Sequence, residues 1–276
     1  MKKVILITGA SSGIGKDAAL KLIKEGHIVY GAARRKNLMD ELVQAGGYSI
    51  QMDVTKKDEI SSAVNQIINE QGKIDVLFNN AGYGVYGAVE NVSIDDARRQ
   101  FDVNIFGLAA ITKEVLPHMR EQKSGTIINT SSMGGKMYTP LGAWYHATKH
   151  ALEGWSDCLR LELKAFNINV VVIEPGGIET EFGDVLYDPM VKRSMGTPYE
   201  GISNQVAKAT KEMYKKNGGL SKPSVISNLV SKAVNSEKPR TRYVAGKFAK
   251  PMLFIRKYFG DRVFDKIIVS QISRER

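Results

Sequence analysis

The sequence predicts an α/β protein built on one doubly wound parallel sheet with helices on both faces. Three observations lead there. Short apolar runs rich in Val, Ile and Leu recur along the 276 residues. They are continuous rather than alternating, as strands covered on both faces require. Segments of helical period stand between them, so strands recur at intervals of roughly 20 to 30 residues. A glycine-rich turn joins the first strand to the first helix. Residues 1–276 read as a single domain, without a linker or an internal repeat.

The elements follow in order. Residues 4–7 form the first strand, and helical period runs over 14–24 until Gly26 ends it. Residues 27–33 and 48–52 are the second and third strands. Residues 56–71 are helical, with Ile60, Val64, Ile67 and Ile68 on one face. Residues 74–78 are the fourth strand. A long helix is expected over 94–121, with Ser93 and Asp96 as a variant capping box and a kink or break at Pro117. Residues 126–130 are the fifth strand, 145–166 a helix, and 168–173 the sixth strand, closed by Pro175 and Gly176. Residues 241–245 are a short seventh. The stretch 177–222 has weak periodicity and many Gly, Pro and Met residues, which marks it as a mobile substrate lid.

Composition narrows the function classes. Lys and Arg number 39 against 29 Asp and Glu, a net charge of +10. Residues 239–276 carry ten basic and three acidic side chains, so this basic C-terminal segment holds +7 of that excess. Such an excess suits nucleic acid, an anionic membrane surface or a phosphorylated ligand. Nothing besides charge supports nucleic acid. The lone Cys158 excludes an intramolecular disulfide and any multi-cysteine metal site, and it reads as a small buried hydrophobe. No stretch approaches the ~20 apolar residues that span a bilayer, and the first apolar run is too short for a secretory signal. A cytoplasmic protein is expected.

The turn Thr8-Gly9-Ala10-Ser11-Ser12-Gly13-Ile14-Gly15 lies between strand and helix. Glycines let the backbone approach a pyrophosphate closely, and the helix N-terminus offers free N–H groups and a positive dipole end. Its spacing is GxxxGxG, not GxGxxG, and a tight turn without ligand is the competing reading. The second strand runs into Arg34, Arg35 and Lys36 with no carboxylate. A dinucleotide there calls for NADP(H), since NAD favours an acid on the ribose 2′-OH and NADP an arginine at the 2′-phosphate. Arg34 is the principal contact, with Arg35 or Lys36 in support. A solvated basic loop is the alternative.

Tyr145 and Lys149 are four apart at the start of a helix and share a face. A lysine ammonium beside a phenol favours the phenolate and lowers the tyrosine pKa from ~10, which makes Tyr145 a proton donor and acceptor. A second such pair, Tyr243 and Lys247, falls outside any helix and reads as chance. Ser132 lies just past the fifth strand, at the sheet edge that lines a ligand crevice, where it can meet Tyr145 across a substrate oxygen. Asn79-Asn80-Ala81-Gly82 follows the fourth strand at the same edge. Asn104 sits inside a long helix, an unfavourable place for asparagine, which points to a polar role.

These motifs, in this order, resemble the short-chain dehydrogenase/reductase family over nearly the full chain. The matching pieces are TGASSGIG at 8–15, Asp53, NNAG at 79–82, Asn104, Ser132, YHATK at 145–149 and PGGIET at 175–180. SSMGG at 131–135 and the arginine-terminated second strand are most similar to the 17β-hydroxysteroid and retinol dehydrogenase group. The resemblance implies a Rossmann-type sheet, a catalytic set of Asn104, Ser132, Tyr145 and Lys149, and no metal. It implies that Tyr145 is the acid/base, that Lys149 lowers its pKa and bonds the nicotinamide ribose, and that Ser132 polarises the carbonyl. Asn104 would support a water that links Lys149 to solvent. Gly9, Ser11, Ser12, Gly13, Ile14 and Gly15 would hold phosphate, Asp53 and Val54 adenine, and Asn80, Ala81 and Gly82 the adenosine ribose side. Pro175, Gly176, Ile178 and Thr180 would hold the carboxamide end. It also implies a homodimer or homotetramer.

Several residues are set aside. His146 and His150 have zinc-protease spacing, but Ala147 stands where that motif needs Glu; they read as helix-surface histidines. Met133, Met137, Tyr138, Met190 and Met195 either face an apolar substrate or simply pack. The C-terminal segment is expected to cover the substrate cleft or a neighbouring subunit, with an amphipathic helix resting on a membrane as the lesser alternative. The expected function is reversible NADP(H)-linked interconversion of a carbonyl and a secondary alcohol on a lipophilic, steroid- or retinoid-like small molecule. An NAD-preferring alcohol dehydrogenase and a non-catalytic NADPH-binding regulator are the alternatives.

Overall fold

The computed structural model describes residues 1–214 and 219–273. The first half runs β1 (Val4–Thr8), α1 (Gly13–Lys24), β2 (Ile28–Ala33), α2 (Asp40–Gln44), β3 (Tyr48–Gln51), α3 (Lys57–Gln71), β4 (Val76–Asn79), α4 (Ile94–Phe101) and α5 (Leu108–Glu121). The second runs β5 (Gly125–Thr130), α6 (Ala143–Leu163), β6 (Ile168–Pro175), α7 (Phe182–Ser194), α8 (Glu200–Tyr214), α9 (Ser224–Asn235), β7 (Arg242–Ala245) and α10 (Ala249–Ser273). The strands form one seven-stranded sheet in the order β3-β2-β1-β4-β5-β6-β7, and every pairing is parallel.

Alternate strand residues enter two separate cores. Val4, Leu6, Leu77, Ile127 and Val170 join Ile60, Val64 and Ile67 of α3, Ile111 and Val115 of α5, and Leu159 of α6. Ile5, Ile7, Phe78, Ile128 and Val171 face the other way, against Ala18 and Leu22 of α1 and Ile226 and Val230 of α9. Both faces of the sheet are therefore sealed, which is why its strands read as unbroken apolar runs. The chain reverses direction across the sheet between β1 and β4, and a crevice opens there at the strands' C-terminal ends.

Two features of the long helical segment differ in kind. Pro117 does not break it: α5 continues through that residue to Glu121. The irregularity comes earlier, where Asp102–Gly107 form a π turn between α4 and α5. Ser93 caps α4 as expected, its Oγ accepting the Asp96 N–H at 3.0 Å. The stretch 177–222 is more regular than its composition suggests. It holds α7 and α8, which pack together through Leu186, Tyr187, Met190 and Ala207. Cys158 is exposed rather than buried, because it lies on the outward face of α6, next to buried Leu159.

Candidate active site

A cleft of about 960 Å³ runs across the C-terminal ends of the strands. The glycine-rich turn forms one end. Gly9 and Gly13 adopt φ of 67° and 54°, a left-handed backbone that glycine adopts without strain. Ser12, the N-cap of α1, is extended and makes no side-chain capping bond, and the first turn of α1 holds no acid. Its N–H groups and positive dipole end are thus left for an anion. The turn is tied to the β4 loop: Thr8 Oγ1 accepts the Asn80 and Ala81 N–H groups, both at 3.0 Å. A Cβ at Gly9 would lie 2.8 Å from Ala81 Cα, so a side chain there would push the two loops apart.

Arg34 and Arg35 line the cleft beyond the end of β2. Arg35 also reaches Glu181 at 3.7 Å, both groups being solvated. Across from them, Asp53 accepts the Thr55 N–H at 2.9 Å and its hydroxyl at 2.8 Å. Burial opposes ionisation of Asp53, but these two bonds and the nearby Arg34 charge outweigh it, and the carboxyl is held below its ordinary range. These residues, with the open end of α1, fit the diphosphate, ribose and adenine portions of a dinucleotide.

At the centre Ser132, Tyr145 and Lys149 face the same space. Ser132 ends the β5 loop, and its Oγ accepts the Gly134 N–H at 3.0 Å. Tyr145 stands in the first turn of α6, its ring 5.7 Å from Tyr86 and 5.6 Å from Phe182. Lys149 lies one turn further on and donates to the Thr130 carbonyl at 2.8 Å. Its ammonium is 5.9 Å from the Tyr145 ring centre. Burial lowers the Lys149 pKa to about 8, with Glu153 one turn beyond pulling weakly the other way.

The catalytic and dinucleotide-binding residues proposed from sequence line this cleft except Gly15, Lys36 and Asn104. Gly15 is behind it: a Cβ there would sit 2.3 Å from the Gly9 carbonyl oxygen and 2.5 Å from Asn80 Nδ2. Asn104 is in the π turn and fully engaged by the loop after Gly82. Its Oδ1 accepts the Tyr83 N–H at 3.1 Å, and its Nδ2 donates to the Tyr83 carbonyl at 2.9 Å and to Thr148 Oγ1 at 3.2 Å. A Cβ on Gly82 would lie 3.1 Å from Asn104 Oδ1 and 3.8 Å from Lys149 Nζ, so the glycine sits between the two side chains.

Sequence reasoning misplaced one residue at the centre. His146 is not on the helix surface but buried. Its Nε2 accepts the Thr139 N–H at 3.0 Å, so Nδ1 carries the proton and donates to the Gly134 carbonyl at 2.9 Å. The ring ties Gly134 to Thr139 within the loop that carries Ser132. Burial lowers its pKa, which keeps it neutral. His150 is exposed, as expected. The second Tyr/Lys pair is not helical: Tyr243 is buried on β7 and Lys247 follows the strand.

Beneath the loop, Glu174 at the end of β6 is 1% exposed. Burial raises its pKa, while Lys136 Nζ at 2.6 Å and Arg242 Nε at 3.2 Å supply its counter-charge. Arg242 also reaches Glu153 at 3.0 Å and Asp157 at 2.7 Å.

The other end of the cleft is apolar. Met133, Met137 and Met190 line it as the sequence suggested, but Tyr138 and Met195 do not. Tyr138 turns to Asp265, donating at 2.8 Å, and Met195 is 65% exposed. Sequence reasoning missed Leu186 and Tyr187 of α7 and Val206 and Met213 of α8; Met252 and Ile268 of α10 also line it, in the segment expected over the cleft. Nothing in their spacing sets them apart from ordinary packing residues.

Known proteins place this arrangement. The family model described as short chain dehydrogenase matches residues 3–190. The chain belongs to the short-chain dehydrogenase family. A 3-ketodihydrosphingosine reductase of Bacteroides thetaiotaomicron is 44% identical over 182 residues, 66% of either chain. An uncharacterized oxidoreductase of Escherichia coli is 32% identical over 97% of this chain and 94% of that one. Among solved structures, a short-chain dehydrogenase from Streptomyces avermitilis superposes with a TM-score of 0.80 at 31% identity, covering 99% of this chain and 98% of that one. A serine dehydrogenase complexed with NADP+ superposes at 0.77 with 28% identity, over 90% and 96% of the two chains. This short-chain dehydrogenase is thus an oxidoreductase acting on CH–OH groups. Among the described residues no helix is long and apolar enough to cross a membrane, and no cluster of His, Cys, Asp and Glu suits a metal ion.

Proposed function

We propose that the protein interconverts a carbonyl and a secondary alcohol on a lipophilic substrate, using NADP(H). The observation that carries this reading is the cleft itself. One end offers a helix N-terminus and two arginines, the other a methionine-rich apolar wall, and Ser132, Tyr145 and Lys149 stand between them.

The nicotinamide supplies or accepts the hydride when bound. Tyr145 gives a proton to the substrate oxygen in reduction and takes it back in oxidation. Lys149, holding its charge in a buried site, favours the phenolate electrostatically and holds the nicotinamide ribose. Ser132 accepts from Gly134, so its own hydroxyl proton is left to bond and polarise the substrate oxygen. Asn104 fixes the Gly82–Tyr83 loop against Lys149, and a water beside it completes a proton path to solvent. Arg34 takes the 2′-phosphate, with Arg35 in support, while Asp53, Val54 and the residues Asn80 to Gly82 enclose the adenosine. Pro175, Gly176, Ile178 and Thr180 hold the carboxamide. The helices α7 and α8 close over the apolar end as a lid.

Support for a lipophilic substrate comes from Leu186, Met190, Met213 and Met252 around that end. A steroid- or retinoid-like ketone fits such a wall. So does a ketone on a long alkyl chain, and the 44%-identical relative is named for 3-ketodihydrosphingosine.

The test is oxidation of NADPH and of NADH, side by side, with steroid, retinoid and long-chain ketones. Turnover is expected with NADPH on at least one of them. Arg34→Ala should weaken NADPH about 10- to 100-fold, from loss of a charge-assisted contact, and leave NADH nearly unchanged. Equal losses, or a preference for NADH in the parent, would sink the NADP(H) reading.

A further inference from the structure

The helix α10 has two apolar faces. Inward, Met252, Phe264 and Ile268 pack with Met137 beside the cleft; Met252 and Ile268 line it, with Phe248 just before the helix. Outward, Phe254, Tyr258 and Phe259 are 57%, 63% and 54% exposed. Their rings touch: Phe254 lies 4.9 Å from Tyr258 and 6.1 Å from Phe259. An exposed cluster of three large aromatic rings marks a contact surface rather than scattered surface residues.

Charge selects the partner. Lys250, Phe254 and Tyr258 are spaced four apart and Lys257 lies three after Phe254, so all four share one stripe of the helix. Lys250, Lys257, Arg262 and Lys266 are exposed around the rings, and no ion pair holds any of them among the described residues. Lys257 Nζ sits 5.1 Å from the Tyr258 ring centre. The acids nearby are exposed but partnered: Asp261 with Arg256 and Asp265 with Tyr138. A second copy of the chain would bring the same cations against these, so self-association is opposed. Aromatic rings fringed by lysine and arginine suit the headgroup level of an anionic bilayer.

We propose that α10 docks this protein on an anionic lipid surface, with Phe254, Tyr258 and Phe259 inserted and Lys250, Lys257, Arg262 and Lys266 on the headgroups. Phe248 both lines the cleft and is 37% exposed, so docking sets the apolar mouth against the bilayer and lets a lipophilic substrate enter without crossing water. That second clause rests on the function proposed above; the docking does not.

The test is flotation of the full chain with vesicles of phosphatidylcholine alone and of phosphatidylcholine mixed with phosphatidylglycerol. Binding is expected to the mixed vesicles and not to the neutral ones, and to fall with added salt. Lys250→Glu with Lys257→Glu should cut partition roughly tenfold or more. Phe254→Ser with Tyr258→Ser should do the same, by removing the inserted rings. Unchanged thermal melting and unchanged NADPH binding would show that each variant is folded. Failure of the parent to float with anionic vesicles would overturn the proposal. So would binding that survives both double substitutions, or light scattering showing a dimer that the aromatic substitutions disperse without any vesicle binding. Flotation needs no turnover, so its failure leaves the function reading intact.

Discussion

The two ends of the cleft are built by different means. At the dinucleotide end the backbone sets the shape. Gly9 and Gly13 have positive φ, Thr8 accepts two N–H groups from the facing loop, and a methyl at Gly15 would strike a carbonyl oxygen at 2.3 Å. At the substrate end side chains set the shape: Met133, Met137, Met190, Met213 and Met252 line it. Methionine has three rotatable bonds and a polarizable sulfur, so such a wall refits around different guests. One end is thus held by rigid backbone, the other by side chains that can adjust.

Tyr145 stands where the two ends meet, so its removal should have the largest effect. Tyr145→Phe is expected to lower kcat by about 10²- to 10⁴-fold with dinucleotide binding retained. Stopped-flow single turnover would separate the two, and retained chemistry would move the proton to another group. Gly15→Ala tests the rigid end. Its Cβ meets backbone, which cannot step aside, so a loss of about 1–3 kcal/mol is expected, read as a lower Tm and weaker dinucleotide binding. A neutral result would mean that this end can yield as well.

Lys149→Met should stabilise the fold while abolishing turnover. The fall of the lysine pKa from 10.5 to about 8 corresponds to roughly 3 kcal/mol of cost below pH 8. Loss of the bond to the Thr130 carbonyl offsets about 1 kcal/mol of that, which leaves a net gain of about 2 kcal/mol at neutral pH. Between pH 8 and 10.5 the unfolded parent binds more protons than the folded one, so parental stability rises there. The advantage of the variant should therefore shrink as pH climbs above 8, vanish near about pH 9.5 and become a deficit of about 1 kcal/mol above 10.5. Denaturant midpoints across that range would show it; an advantage independent of pH would contradict the buried-charge account. The smallest change is expected at the adaptable wall. Met190→Leu conserves volume and should alter KM for an apolar ketone by less than about 1.5 kcal/mol. A larger shift would mean that this wall discriminates shape as sharply as the other end.

The same contrast governs what could be read from the sequence. Residues 4–7 and 168–173 read as strands because their faces are both covered, and the polar residues at strand ends stand out against that background. Ser132 and Arg34 therefore announce themselves, and Tyr145 and Lys149 do so by their spacing of four on α6. His146 does not, because its partners are main-chain groups of Gly134 and Thr139 and the Thr139 hydroxyl, and none of these follows a spacing that marks a site. The lining of α7 and α8 is equally silent, since apolar residues facing a substrate look like those facing a core. The helix α9 carries its signal openly in Ile226, Val230, Ala233 and Val234; the Gly, Pro and Met composition before it diverts attention. The helix α10 has no single apolar face to find, because rings point both inward and outward and Gly260 kinks it at φ 71°.

The π turn at Asp102–Gly107 constrains how this gene can change. An α-helix advances about 100° per residue, and a π turn holds one residue more than the regular helix needs. Losing a single codon there would give a smoother helix with better backbone bonds. Because the wide turn absorbs that residue, Ile111, Val115 and Met119 would still face the core they fill, as would Ala97 and Gln100. Only the turn itself would change, and Asn104 would lose its two bonds to Tyr83. The extra residue thus serves the Asn104 contact rather than the helix faces on either side of it.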